Sequence, residues 1–124
     1  MNYSEAIDYI HSIPKFVRPL GNEKLGALLA RLGEPQKIGN YIHIAGTNGK
    51  GSVAAMLSQI LTEQGYKTGM FTSPFIEVFN ERIQINNALI SDADLAEYAS
   101  RVRRVMEESV DYVSEYAFIT ALAF

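Results

Sequence analysis

The chain has 124 residues, 48% of them hydrophobic and 20% charged, with no cysteine and a formal net charge of −3. That length holds one compact domain or a piece of a larger one, and excludes two full domains. The missing cysteines exclude a disulfide framework, a thiolate zinc site and a thiol nucleophile. Eleven Lys and Arg against fourteen Asp and Glu leave no basic footprint for nucleic acid. The first residues, MNYSEAIDYIHS, lack the basic and apolar regions of a secretory signal. No apolar run approaches the ~20 residues of a membrane span. The expectation is a soluble, cytoplasmic protein with neither a nucleic acid nor a membrane as partner.

Tyr3, Ala6, Ile7 and Ile10 recur at helical spacing and the pattern stops before Pro14, which predicts a helix over about 3–12. Asn22 is a candidate N-cap for a second helix with Leu25, Leu28, Leu29 and Leu32 as its stripe, ended by Gly33. The run Tyr41-Ile42-His43-Ile44-Ala45 is short, apolar and β-branched, and reads as a buried strand. From Ser52 to Gln64 the period changes to helical, through Val53, Met56, Leu57, Ile60 and Leu61, and Gly65 supplies the C-terminal stop.

A second strand over Lys67 to Thr72 would complete a right-handed βαβ unit and a sheet that starts parallel. Phe75 to Glu81 has no clean period and reads as a functional loop, followed by a short strand at Arg82-Ile83-Gln84-Ile85 and a turn at Asn86-Asn87. Ser91 and Asp94 resemble a capping box ahead of a long helix through Leu95, Tyr98, Val102, Val105 and Met106 to about Ser109. Tyr116 to Phe124 is apolar and helix-compatible, with no capping signal at its end. A chain cut from a longer one is the expectation, the alternative being an end docked in the core.

Gly46-Thr47-Asn48-Gly49-Lys50-Gly51-Ser52 lies between a predicted strand and a predicted helix, the context of a phosphate-binding loop. Glycines let the backbone turn and bring its N–H groups to phosphate oxygens, and the helix N-terminus adds about half a positive charge. Lys50 is placed to reach the β- and γ-phosphates, and Ser52 offers a hydroxyl to phosphate or metal. The string departs from G-x-x-x-x-G-K-[ST] twice, with Ile44 at the first glycine position and Gly51 directly after the lysine. Gly51 passes the usual Mg²⁺-binding hydroxyl role to Ser52 or to a residue elsewhere. The competing reading is a glycine turn whose lysine points to solvent.

Tyr41 to Ser52, then Phe71-Thr72-Ser73-Pro74-Phe75, Phe79-Asn80-Glu81-Arg82-Ile83 and Phe118 to Phe124 together closely resemble the folylpolyglutamate synthase and dihydrofolate synthase family, relatives of the muramyl-peptide ligases. The resemblance covers essentially the whole chain. It implies an α/β, P-loop-type βαβ fold preceded by two helices, residues 1–124 being the N-terminal part of a Mur-ligase-like ATPase domain without the glutamate-binding C-terminal domain. The implied reaction uses ATP and Mg²⁺ to phosphorylate the carboxylate of a folate or of dihydropteroate, and the amino group of L-glutamate attacks the acyl phosphate. By matching position, Gly46, Thr47, Asn48, Gly49, Lys50, Gly51 and Ser52 are the nucleotide loop, with Lys50 catalytic. Ser73 is the implied Mg²⁺ ligand beside Ser52. Thr72 to Ile83 resembles the family's Ω-shaped loop near the folate, with Thr72, Pro74, Phe75 and Arg82 as its substrate-facing residues. The complete protein is expected to be a monomer and this piece alone inactive.

One position departs from the family. Where its last helix carries a Mg²⁺-binding Glu in Phe-Glu-Phe-Ile-Thr, this chain has Ala117 in Tyr116-Ala117-Phe118-Ile119-Thr120. Glu115 lies about 200° around a helix from that position and is a poor substitute, so weaker Mg²⁺–ATP binding is expected. His43 and His11 read as structural. Arg101, Arg103 and Arg104, set among Glu97, Glu107 and Glu108, read as a solvated face. Phe75 and Phe79 are balanced between core packing and a ring-bearing ligand. The readings from other classes are a noncatalytic nucleotide-binding or interaction module and a muramyl-peptide ligase or P-loop kinase.

Overall fold

The computed structural model describes residues 1–109 and 112–124. They form two compact units, residues 1–40 with 93–124, and residues 41–92.

The first unit is helical. Helix α1 (Tyr3–Ser12) starts on a reciprocal cap, in which Asn2 Oδ1 accepts from the Glu5 amide at 2.9 Å and Glu5 Oε2 accepts from the Asn2 amide at 2.8 Å. Helix α2 (Glu23–Arg31) begins after Asn22, which makes no side-chain cap bond, and ends at Gly33 with φ of +92°. The Gly33 amide donates to Ala30 O and that of Glu34 to Leu29 O, satisfying two terminal carbonyls. Helices α4 (Asp92–Ser109) and α5 (Glu115–Ala123) complete the set.

Both α1 and α2 pack on α5. Ile10, Leu28, Leu95, Met106, Phe118 and Ile119 are fully buried, each contributing about 1.5–3 kcal/mol of apolar transfer free energy. Tyr9 meets Phe118 edge-on at 5.7 Å between ring centroids. Arg103 of the basic cluster pairs with Glu107 at 2.7 Å and lies 4.3 Å over the Tyr9 ring, an assignment within the fold that needs no ligand.

The second unit carries the glycine string. Helix α3 (Lys50–Glu63) ends as the sequence predicts, at Gly65 with φ of +91°. The Gly65 amide donates to Thr62 O and that of Tyr66 to Leu61 O. Strands β1 (Gly69–Phe71), β2 (Ile83–Ile85) and β3 (Ala88–Leu89) form one sheet in that order, with α3 packed on β1. Gly69 stands opposite Ile85 and Phe71 opposite Ile83, while Ile85 stands opposite Ala88. Asn86 and Asn87, with φ of +50° and +64°, make the tight β2–β3 turn, since two left-handed residues match the twist of paired strands.

The mixed α/β content, the two leading helices and the helix after the glycine string agree with expectation. The strand pairing needs correction. Both pairings are antiparallel, where a parallel start was expected. Residues 41–45 form no ladder with any described residue, and Tyr41 and Ile42 are exposed rather than buried. A β-rich run becomes a strand only when a second backbone supplies ladder hydrogen bonds, and among the described residues the sheet consists of β1, β2 and β3. The α3 stripe of Val53, Met56 and Ile60 is likewise exposed. No described helix is long and apolar enough to cross a membrane.

Candidate functional site

The glycine string turns directly into α3. Gly49, with φ of +77°, is the N-cap, a left-handed conformation that costs glycine nothing. Lys50 opens the helix, and its ammonium donates to Thr47 O at 3.1 Å across the turn. A Cβ on Gly46 would come to 3.8 Å from Lys50 Cγ, so the lysine stem runs over the first glycine. Residues 46–52 are all exposed. The loop thus holds together Gly46, Thr47, Gly49 and Lys50 at an open helix N-terminus, where the first-turn amides of Lys50, Gly51 and Ser52 have no intrahelical acceptor. Amides, one ammonium and the hydroxyls of Thr47 and Ser52 suit a phosphate chain.

Thr72 to Arg82 is a closed loop. The Thr72 amide donates to Arg82 O at 2.9 Å and the Thr72 hydroxyl to Glu81 O at 3.5 Å, joining the ends as in an Ω-loop. Within it, the Arg82 guanidinium lies 5.6 Å from the Phe75 centroid and 5.4 Å from that of Phe79. Those rings are 5.9 Å apart, tilted at 57°. Arg82 Nε is enclosed and has no hydrogen-bond partner among the described residues. Thr72, Phe75 and Arg82 are therefore brought together, and Pro74 lies between Thr72 and Phe75 in the chain, after a cis Ser73–Pro74 bond.

Two residues that sequence reasoning gave no role hold this loop. Glu81 accepts from the amides of Ile76, Glu77 and Val78 at 2.8, 2.8 and 2.9 Å. The bonds from Val78, Ile76 and Glu77, in that order of weight, draw its carboxyl below the ordinary carboxylate range. The buried Asn80 donates from Nδ2 to Ile90 O at 2.8 Å and to Asp92 Oδ1 at 2.9 Å. The available signal was the adjacent polar pair Asn80-Glu81 set between Phe79 and Arg82.

Ser52 and Ser73 are both exposed. Among the described residues no group of three or more His, Asp or Glu side chains could hold a metal ion. Ala117, in the first unit, donates its amide to Ser114 Oγ and borders a cavity of about 30 Å³ with Lys24 and Leu25. Its methyl group offers no metal donor.

The geometry can be set beside known proteins. A folylpolyglutamate synthase of Lacticaseibacillus casei is 43% identical over all of this chain, which covers 30% of that protein. A dihydrofolate synthase/folylpolyglutamate synthase of Bacillus subtilis is 40% identical over 98% of the chain and 29% of its own length. A solved FPGS–AMPPCP–folate complex matches with a TM-score of 0.91 and 44% identity, over 99% of this chain and 31% of that one. The chain belongs to the folylpolyglutamate synthase and dihydrofolate synthase family. No protein-family model matches it. The chain spans about 30% of the length of these relatives, and its helices and sheet correspond to the N-terminal domain of the folylpolyglutamate synthase fold.

Proposed function

We propose that the complete protein is an ATP-dependent amide ligase that adds L-glutamate to a folate, and that it also accepts dihydropteroate. The observation that carries this reading is the closed Thr72–Arg82 loop, with a guanidinium set against two neighbouring aromatic rings, in the same unit as the glycine loop. A homologue with this fold is solved with AMPPCP and folate together.

A carboxylate attacking a γ-phosphate brings two anions together, so the work of the protein is to neutralise and align. The loop amides and the α3 N-terminus take the phosphates. Lys50 leaves Thr47 O, 3.1 Å away, to follow the γ-phosphate as it is transferred. The folate carboxylate becomes an acyl phosphate, and the glutamate amine displaces inorganic phosphate to form the amide. Ser52 and Ser73 supply hard oxygen donors of the kind Mg²⁺ takes, and the small number of protein donors suits an ion that keeps waters and phosphate oxygens as its other ligands. When bound, Mg²⁺ would offset charge on the β- and γ-oxygens. Arg82, Phe75, Thr72 and Pro74 form the folate side.

Residues 1–124 form the N-terminal part of the ATP-binding domain in this reading. The exposed Val53, Met56 and Ile60 stripe supports further sheet of the same domain packing there. The glutamate-binding domain lies outside this segment, so the segment alone is inactive, and the complete enzyme works as a cytoplasmic monomer. The test is ADP release by the full-length protein. Release that requires both tetrahydrofolate and L-glutamate is the expected result. Release with a nucleotide-sugar peptide instead would assign the muramyl branch, and nucleotide binding without turnover on any acceptor would make the protein a binding module.

A further inference from the structure

We infer that Glu81 is the positioning residue of the folate side, acting through the loop backbone without touching substrate. The inference rests on the reading of the Thr72–Arg82 loop as that side. Its three acceptor bonds come from successive amides, those of Ile76, Glu77 and Val78. Those amides have the chain direction of a turn that no sheet or helix ladder stabilises, and Ile76 is almost wholly exposed, at 90%. Without the carboxylate the three N–H groups would go to water and the segment would keep its backbone freedom.

The position of that segment decides where two rings stand. Phe75 precedes the clamped amides and Phe79 follows them, and Arg82 sits next to Glu81 in sequence. Glu81 therefore connects both ring-bearing flanks to the residue carrying the guanidinium. Its own main chain is tied in as well: its amide donates to Val78 O, and its carbonyl accepts from Gln84 Nε2 at 3.2 Å and from the Thr72 hydroxyl. A loop preorganised in this way loses less entropy when a ligand enters, so the clamp favours binding and leaves the phosphoryl chemistry untouched.

The test uses full-length protein carrying Glu81→Ala, Glu81→Gln or Arg82→Ala, with steady-state kinetics and amide hydrogen exchange at Ile76, Glu77 and Val78. Glu81→Ala is expected to raise the KM for tetrahydrofolate about tenfold or more through lost preorganisation, with kcat and the KM for ATP little changed and with faster exchange at the three amides. Glu81→Gln, which keeps one acceptor oxygen, should fall between. Faster exchange without a change in folate KM, while Arg82→Ala does raise it, overturns the inference and leaves the loop assignment standing. If neither Glu81→Ala nor Arg82→Ala moves the folate KM, the loop assignment fails and the inference falls with it. Unchanged exchange, or an equal loss in both KM values and kcat, also overturns it, the latter by making Glu81 a general structural support.

Discussion

Ser58 Oγ donates to Asn87 Oδ1 at 2.6 Å, joining the middle of α3 to the β2–β3 turn. Ser58 is the buried residue of that helix, and Asn87 also donates from Nδ2 to Gln59 Oε1 at 2.9 Å. The helix that begins at the glycine loop is thus tied to the hairpin that continues from Arg82. Asn87 combines two requirements, a left-handed backbone and a side-chain amide with both donor and acceptor.

Replacing Asn87 with Gly keeps the turn conformation and removes the bonds. We expect Asn87→Gly and Ser58→Ala each to destabilise by about 1–2 kcal/mol, consistent with a buried polar group losing its partner. The double variant should cost less than the sum, because both changes remove the same bond. Denaturant unfolding of the four proteins measures this, and strict additivity would mean the bond contributes nothing.

Two glycines should respond oppositely to alanine. Gly26 lies inside α2 with open space around its Cβ direction, so Gly26→Ala is expected to stabilise by about 0.5–1 kcal/mol. Gly65 also has open space, but its φ is +91°, and Gly65→Ala should cost about 1–2 kcal/mol from backbone strain alone. Melting temperatures moving in the same direction would contradict this account.

Lys50 is exposed and its ammonium donates across its own turn to Thr47 O. Lys50→Met in the full-length protein should lower kcat by about 10²–10³, the effect of removing one transition-state donor. The melting temperature should stay close to that of the parent, as for an ordinary surface substitution. A large loss of stability would instead make the lysine a structural residue.

The clamp at Glu81 sets a pH dependence. Its carboxyl is drawn below the ordinary carboxylate range in the folded protein by the Val78, Ile76 and Glu77 amides. The stabilisation it gives is therefore complete above the unfolded-state carboxylate range, and is lost as pH falls through the depressed folded value. Hydrogen exchange at residues 76–78, corrected for intrinsic rates, should stay protected through neutral pH and open only in acid below the usual glutamate range. Glu81→Gln should remove this acid transition.

Local chemistry was enough for the helices. The bounds of α1 follow from its stripe and Pro14, and Gly65 ends α3 because only a residue at ease with positive φ closes both terminal bonds there. The glycine loop was legible too, since its conformation depends on its own glycines and the helix it opens. Which backbones pair was not written in the run of residues. Ile42 to Ala45 and Gly69 to Phe71 both have strand composition, yet among the described residues only the second joins a ladder, on β2, more than ten residues away. The Glu81 clamp and the placing of Arg82 against Phe75 and Phe79 were decided in the same way: a carboxylate meets three amides, and a cation meets two rings, only after a loop has closed on itself. Periodicity and capping act over one or two turns of chain, whereas ladders and clamps depend on contacts whose geometry exists only in the folded molecule.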